Sequence, residues 1–194
     1  MTKSSSRSGR EGEEPATIVL GVDPGTLVTG YGLVARTASG LRAVAYGTIR
    51  NAGADSMPLR LRRIHDGLRE LIEQHHPDEF AIESAFYGKN AQSALKLGHA
   101  RGVSILAAVD KEIPTSEYAP REVKKSVVGN GTASKEQVRY MVTTMLNLEK
   151  GSLALDASDA LAVAICHLQH LARPARPFRD WKSYIAAHPE RVAR

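Results

Sequence analysis

Four acidic residues stand where an acid is either costly or chemically useful. Asp23 closes the apolar run TIVLGVD (17–23) and precedes Pro24-Gly25. Asp before Pro-Gly is a common turn former, and taken alone the residue reads that way. The end of a buried strand is also the sheet edge where α/β proteins bind ligands. Glu83 follows Phe80, Ala81 and Ile82 at the end of a second apolar run, with no Lys or Arg within five positions of it. An ionised side chain there is costly unless it is paired or bound to a cation. Asp156 and Asp159 lie three apart in DASDALAVAICH (156–167). They share a face at the start of a helix, where the dipole favours negative charge. As an isolated pair they read as a helix cap, with Asp156 at the N-cap and Asp159 at N3.

Taken together, the four point elsewhere. Two strand ends and one helix start can converge on a single edge of a sheet. Carboxylates gathered within a few ångströms repel by about 4 kcal/mol per close pair at an effective dielectric of about 20. Such a cluster calls for cations. Oxygen-only ligands select hard ions, so Mg²⁺ is the expected metal with Mn²⁺ a substitute, and a two-ion site suits in-line displacement at a phosphodiester.

The elements that must position these acids follow from patterning. TIVLGVD (17–23), VTGYGLVAR (28–36) and LRAVAYGTIR (41–50) read as three strands with short links, an antiparallel meander. Pro58 suits the first turn of a helix, and Leu61, Ile64, Leu68, Leu71 and Ile72 recur at helical spacing up to the stop at His75-His76-Pro77. A short strand over EFAIES (79–84), a loop with Phe86, Tyr87 and Gly88, and a helix from about Asn90 to Lys111 come next. Further on, a strand at 115–118 precedes a helix from Pro120 to Val127. A capping box of Ser134 and Gln137 opens a helix to about Leu148, and the last strong helix runs from Asp156 to Leu171. Strands that first form a meander and then alternate with helices predict an α/β single domain with a mixed sheet whose later strands are parallel.

The chain has 194 residues, 42% hydrophobic and 24% charged, which fits one domain that can bury a core without staples. The single cysteine, Cys166, excludes an internal disulfide or a cysteine-based zinc site and suits a reducing cytosol; it reads as a buried small hydrophobe. No run approaches the roughly 20 apolar residues of a membrane span. Residues 1–16 lack the apolar content to order, 17–172 form the domain, and 173–194 read as a basic tail on which Trp181, Tyr184 and Ile185 could dock one turn. The net charge is +5, and its excess lies late: residues 84–150 carry 10 basic and 6 acidic side chains, and 173–194 carry 6 and 2. That asymmetry suggests a polyanionic partner. His167 and His170 lie two or more turns beyond the acids, which favours helix surface or core over metal ligation.

Four blocks carry a resemblance: GVDPGTLVTGYGLV (21–34), FAIESAFYGKNAQSALKLGHARGV (80–103), VKKSVVGNGTASKEQV (123–138) and DASDALAVAICH (156–167). In order and spacing they resemble the RuvC family of Holliday-junction resolvases, and all four acids fall on that family's catalytic positions. The resemblance implies an RNase H-like mixed five-stranded sheet flanked by helices, a homodimer, and Mg²⁺-dependent nicking of two opposed strands at a four-way DNA junction. It also implies partnership with the RuvA and RuvB branch-migration proteins. Asp23 would bridge two ions, Glu83 would hold one, and Asp156 and Asp159 the other, with water as nucleophile. Two identical sites about a two-fold axis also suit a substrate of roughly two-fold symmetry.

By the same resemblance Phe86 would stack on an unpaired base near the cut, an interaction of about 1 to 3 kcal/mol. Tyr87 beside it divides between this role and packing. Arg121, Lys124, Lys125, Lys135 and Arg139 bracket the Gly129-Asn130-Gly131 turn and would face phosphates. Lys124 and Lys135 match basic positions of the family, and Lys89 is a further contact. Two rival readings remain. Asp23-Pro24-Gly25-Thr26 also resembles the first phosphate loop of actin-like ATPases and sugar kinases, a fold needing a second domain and a second Gly-rich loop. A junction-binding module with purely structural acids is the non-enzymatic alternative.

Overall fold

In the computed structural model, residues 17–84, 91–149, 153–172 and 181–188 are described. Phe86, Tyr87, Lys89, the N-terminal sixteen residues and most of the basic C-terminal stretch lie outside them, as do the side chains of Trp181 and Tyr184. Five strands form one mixed sheet in the order β3-β2-β1-β4-β5. β1 (Thr17–Asp23), β2 (Val28–Thr37) and β3 (Gly40–Arg50) make the antiparallel meander. β4 (Glu79–Glu83) and β5 (Thr115–Tyr118) then add in parallel. The central strand β1 is apolar almost throughout because both of its faces are covered.

One face packs on α1 (Met57–His75) and α2 (Ala91–Val109). Leu20, Val22, Leu33, Phe80 and Ile82 point there and meet Ile64, Leu68, Ile72 and Ala107. α1 opens with Pro58 in its first turn and ends on His76, whose N–H still donates to the Ile72 carbonyl and whose left-handed φ of 46° turns the following chain out of the helix. The opposite face carries α5 (Leu155–Leu171), with α3 (Pro120–Val128) and α4 (Lys135–Met145) packed beside it. α5 is buried on nearly every side from Ala157 to Leu168, which matches its lack of a polar face. A short α6 (Trp181–Ala187) follows. Among the described residues no helix is long and apolar enough to cross a membrane.

Two expectations about helix ends need correction. Asp156 does not cap α5: the N-cap is Ala154, which offers no side-chain cap, and Asp156 lies inside the first turn. α4 ends at Met145 rather than near Leu148, because the chain turns at Asn147 with a positive φ of 50°. The capping box at its start is present, with Gln137 N–H on the Ser134 hydroxyl and Ser134 N–H on the Gln137 side chain.

Candidate functional site

Asp23 is the last residue of β1, opposite Gly30 of β2. β1 and β4 run in register up to Val22 opposite Ile82, so the next pair along is Asp23 and Glu83. Side chains alternate across a sheet, and Gly21, Asp23, Ala81 and Glu83 therefore share the face under α5. The Ser84 N–H and hydroxyl both donate to the Tyr118 carbonyl, at 2.8 and 3.2 Å, which prolongs the β4–β5 ladder past Glu83 and fixes that strand end.

The third acid arrives because α5 lies unusually close to the sheet. A Cβ on Gly21 would stand 2.2 Å from the Ala160 carbonyl oxygen, one on Gly30 2.0 Å from the Asp156 carbonyl oxygen, and one on Gly32 2.7 Å from Leu161. These glycines admit the helix backbone itself and carry its acidic first turns to the strand ends. Asp23, Glu83 and Asp159 line one pocket of about 70 Å³, walled by Pro120, Val123, Val138 and Ala162, with Lys124 and Lys135 at its border. That is room for a few water-sized bodies. Asp156 is half-buried a turn earlier and does not line the pocket, although its charge reaches Asp23.

Charge is concentrated there. Burial first, then the charges of Glu83 and Asp159, push the Asp23 carboxyl from 3.8 to about 7. Burial and then the Asp159 charge likewise push Glu83 from 4.5 to about 7. The Lys135 ammonium donates to Asp159 Oδ2 at 2.6 Å, a bond that raises the lysine above its ordinary value. With Lys135 seated on Asp159, no three His, Cys, Asp or Glu side chains among the described residues converge on one ion position. The donor set is nevertheless all oxygen, strained by its own repulsion and partly balanced by an ammonium, and a hard divalent ion fits such a set.

Several positioning residues carry no signal in a residue-by-residue reading. The buried Thr29 hydroxyl donates to the Gly25 carbonyl at 2.7 Å, and the Asn51 side chain donates to the Thr26 carbonyl at 3.0 Å. Together they pin the Asp-Pro-Gly-Thr turn that Asp23 enters. The glycines at 21, 30 and 32 do leave a trace, since they fall at alternate positions of paired strands, a pattern that marks close backbone approach.

The basic residues divide. Lys124 joins Lys135 at the pocket. Arg121 and Lys125 do not face it: they lie on the other side of α3, lining a wider groove with Glu122, Ser126, Gln169 and His170. The Arg121 stem packs over Gly131, where a Cβ would stand 2.5 Å from its Cγ. Arg139 is exposed on α4. His167 is core, as its position suggested, with Nδ1 2.7 Å from the Tyr118 hydroxyl; burial lowers its pKa. Cys166 is buried.

A family model described as crossover junction endodeoxyribonuclease RuvC matches residues 19–167. A protein of that name from Salinibacter ruber is 46% identical over 91% of this chain and 99% of its own length. Another from Teredinibacter turnerae is 53% identical over 81% and 93%. Thermus thermophilus RuvC, solved in complex with a Holliday junction substrate, superposes with a TM-score of 0.75 at 31% identity, covering 80% of this chain and 94% of that one. The yeast mitochondrial resolvase Ydc2 shares the fold at 15% identity and a TM-score of 0.59. The family model spans the chain from β1 through most of α5, and relatives 46% and 53% identical cover 91% and 81% of it: the chain belongs to the RuvC family of crossover junction endodeoxyribonucleases.

Proposed function

We propose that this chain resolves four-way DNA junctions by paired, symmetric phosphodiester hydrolysis that depends on Mg²⁺. The observation that carries the reading is the meeting of Asp23, Glu83 and Asp159 in one small pocket beside Lys124 and Lys135, in a chain of this family. Asp23, Glu83 and Asp159 would hold the metal, and Asp156, three residues earlier on α5 with its charge bearing on Asp23, would complete the set. When bound, a hard divalent ion supplies Lewis-acid stabilisation of the phosphoryl oxygens and makes the attacking water easier to deprotonate. The protein's own share is to hold the carboxylates rigidly on two strand ends and a buried helix. Lys124 and Lys135 bring a phosphate to the pocket mouth, and the apolar walls at Val123, Val138 and Ala162 limit the water around it. Phe86, three residues beyond Glu83, is assigned to an unstacked base beside the scissile bond.

A pair of symmetric cuts needs two such sites, and α2 offers the surface for a two-fold partner. Leu95, Leu106 and Val109 are 62%, 49% and 53% exposed, and open space lies beside Gly98 and Gly102 between them. The positions 95, 98, 102, 106 and 109 fall on one face of α2 and would form a helix–helix seam with a small-residue waist against a second copy of the same helix.

Incubation with a synthetic four-way junction tests the reading. Mg²⁺ should give opposed nicks on two strands of like polarity and EDTA none, with Phe86→Ala losing more cutting than binding. Binding without cutting in Mg²⁺ would make the chain a junction-binding module instead.

A further inference from the structure

Lys135, at the border of the carboxylate pocket, is bonded to one of its acids. Its ammonium is 2.6 Å from Asp159 Oδ2, and its charge also bears on Asp23 and Glu83. The Asp159 side chain is only 13% exposed and the lysine 56%, so the carboxylate is fixed while the ammonium is free to swing into solvent. The other lysine at the pocket, Lys124, makes no ion pair with Asp159; its charge reaches Glu83. Lys135 also opens α4 directly after the Ser134 cap, at the end of the helix nearest the pocket.

We propose that Lys135 is a tethered counter-ion that holds Asp159 until nucleic acid takes it away. A hard divalent ion and the ammonium compete for the same carboxylate oxygen, so the free protein binds metal at Asp159 weakly. A backbone phosphate entering the pocket mouth offers the ammonium a second anion. Once Lys135 has turned to that phosphate, Asp159 is released for the ion. Metal and DNA then strengthen each other's binding through one side chain, and by linkage the effect is the same in both directions. The arrangement rests on the reading of the pocket as a metal-dependent nuclease site. It goes beyond that reading in making metal loading conditional on substrate.

The test is Mn²⁺ titration of the DNA-free protein, with free ion counted by electron paramagnetic resonance. Wild type, Lys135→Gln and Lys124→Gln are compared. Lys135→Gln should bind Mn²⁺ roughly tenfold more tightly than wild type, the factor that corresponds to about 1.4 kcal/mol. Lys124→Gln, which removes a nearby charge without freeing Asp159, should gain clearly less. Equal gains in the two variants would mean a general field effect and overturn the proposal, as would unchanged or weaker binding in Lys135→Gln. A second arm uses the Asp23→Asn background to prevent turnover and adds a four-way junction. The junction should raise Mn²⁺ affinity when Lys135 is present and change it by less than about twofold in Asp23→Asn/Lys135→Gln. An equal rise in both would overturn the coupling. Failure of every variant to bind Mn²⁺ would overturn the metal-site reading along with it, whereas tight binding that ignores Lys135 would sink the counter-ion alone.

Discussion

Replacing Asp23 by Asn removes one negative charge and nearly preserves the side chain's shape. In the native protein the Asp23 carboxyl is pushed from 3.8 to about 7, a displacement of about three pH units at about 1.36 kcal/mol each. Keeping Asp23 ionised at pH 8 therefore costs the metal-free fold up to about 4 kcal/mol. Relaxation of the neighbouring acids and solvent screening reduce this, and a gain of about 2 kcal/mol for Asp23→Asn is expected, or roughly 4–8 °C in Tm for a chain of this size. The direction with pH is set by the raised value. The contribution of protonated Asp23 is fully present below about 3.8 and is lost as pH rises through about 7. Thermal unfolding in EDTA should accordingly show Asp23→Asn above wild type at pH 8, with a gap that shrinks by more than half at pH 5. Added Mg²⁺ should raise wild type more than the variant, because an ion that binds only the native state stabilises it. The same variant should still bind a four-way junction and fail to cut it. A variant less stable than wild type at pH 8 without metal, or a gap indifferent to pH, would refute the account of a self-repelling pocket.

Gly30→Ala introduces a Cβ 2.0 Å from the Asp156 carbonyl oxygen. The start of α5 must lift, with an expected loss of about 1–3 kcal/mol and of cleavage at a lesser cost to junction binding; cleavage at the wild-type rate would dismiss the close-approach argument. Leu106→Glu puts a charge in the middle of the α2 seam. It should shift the protein toward monomer in sedimentation and turn paired cuts into uncoupled single nicks, while an unchanged sedimentation coefficient would place the interface elsewhere. Lys124→Gln should weaken junction binding and lower the slope of log K against log salt by about 1; an unchanged slope would show that this lysine meets no phosphate.

Local chemistry was readable wherever it acted over a few residues. The strand Thr17–Asp23 is an apolar run that ends where the turn begins, and the box of Ser134 and Gln137 declares a helix start. Asp23 and Glu83 could be singled out because each ends a buried run. Taken as an isolated pair, Asp156 and Asp159 read as a cap, whereas Ala154 is the N-cap of α5; the spacing of two acids says nothing about which residue leaves helical geometry. The division of the basic segment was also invisible: Arg121, Lys124 and Lys125 are neighbours in sequence, yet α3 turns Lys124 to the pocket and the other two to a separate groove. Nor could any local pattern pair Lys135 with Asp159, because that contact depends on α4 docking against α5 across 24 residues.

The burial of α5 has a consequence for how the enzyme comes into being. The strands bearing Asp23 and Glu83 are made early, but the wall that turns their edge into a cavity is the last long helix, complete only at Leu171. A nascent or prematurely released chain lacking it would carry two of the acids and no enclosed place for them to act. Synthesis must therefore pass that helix before Asp23, Glu83 and Asp159 can share one pocket.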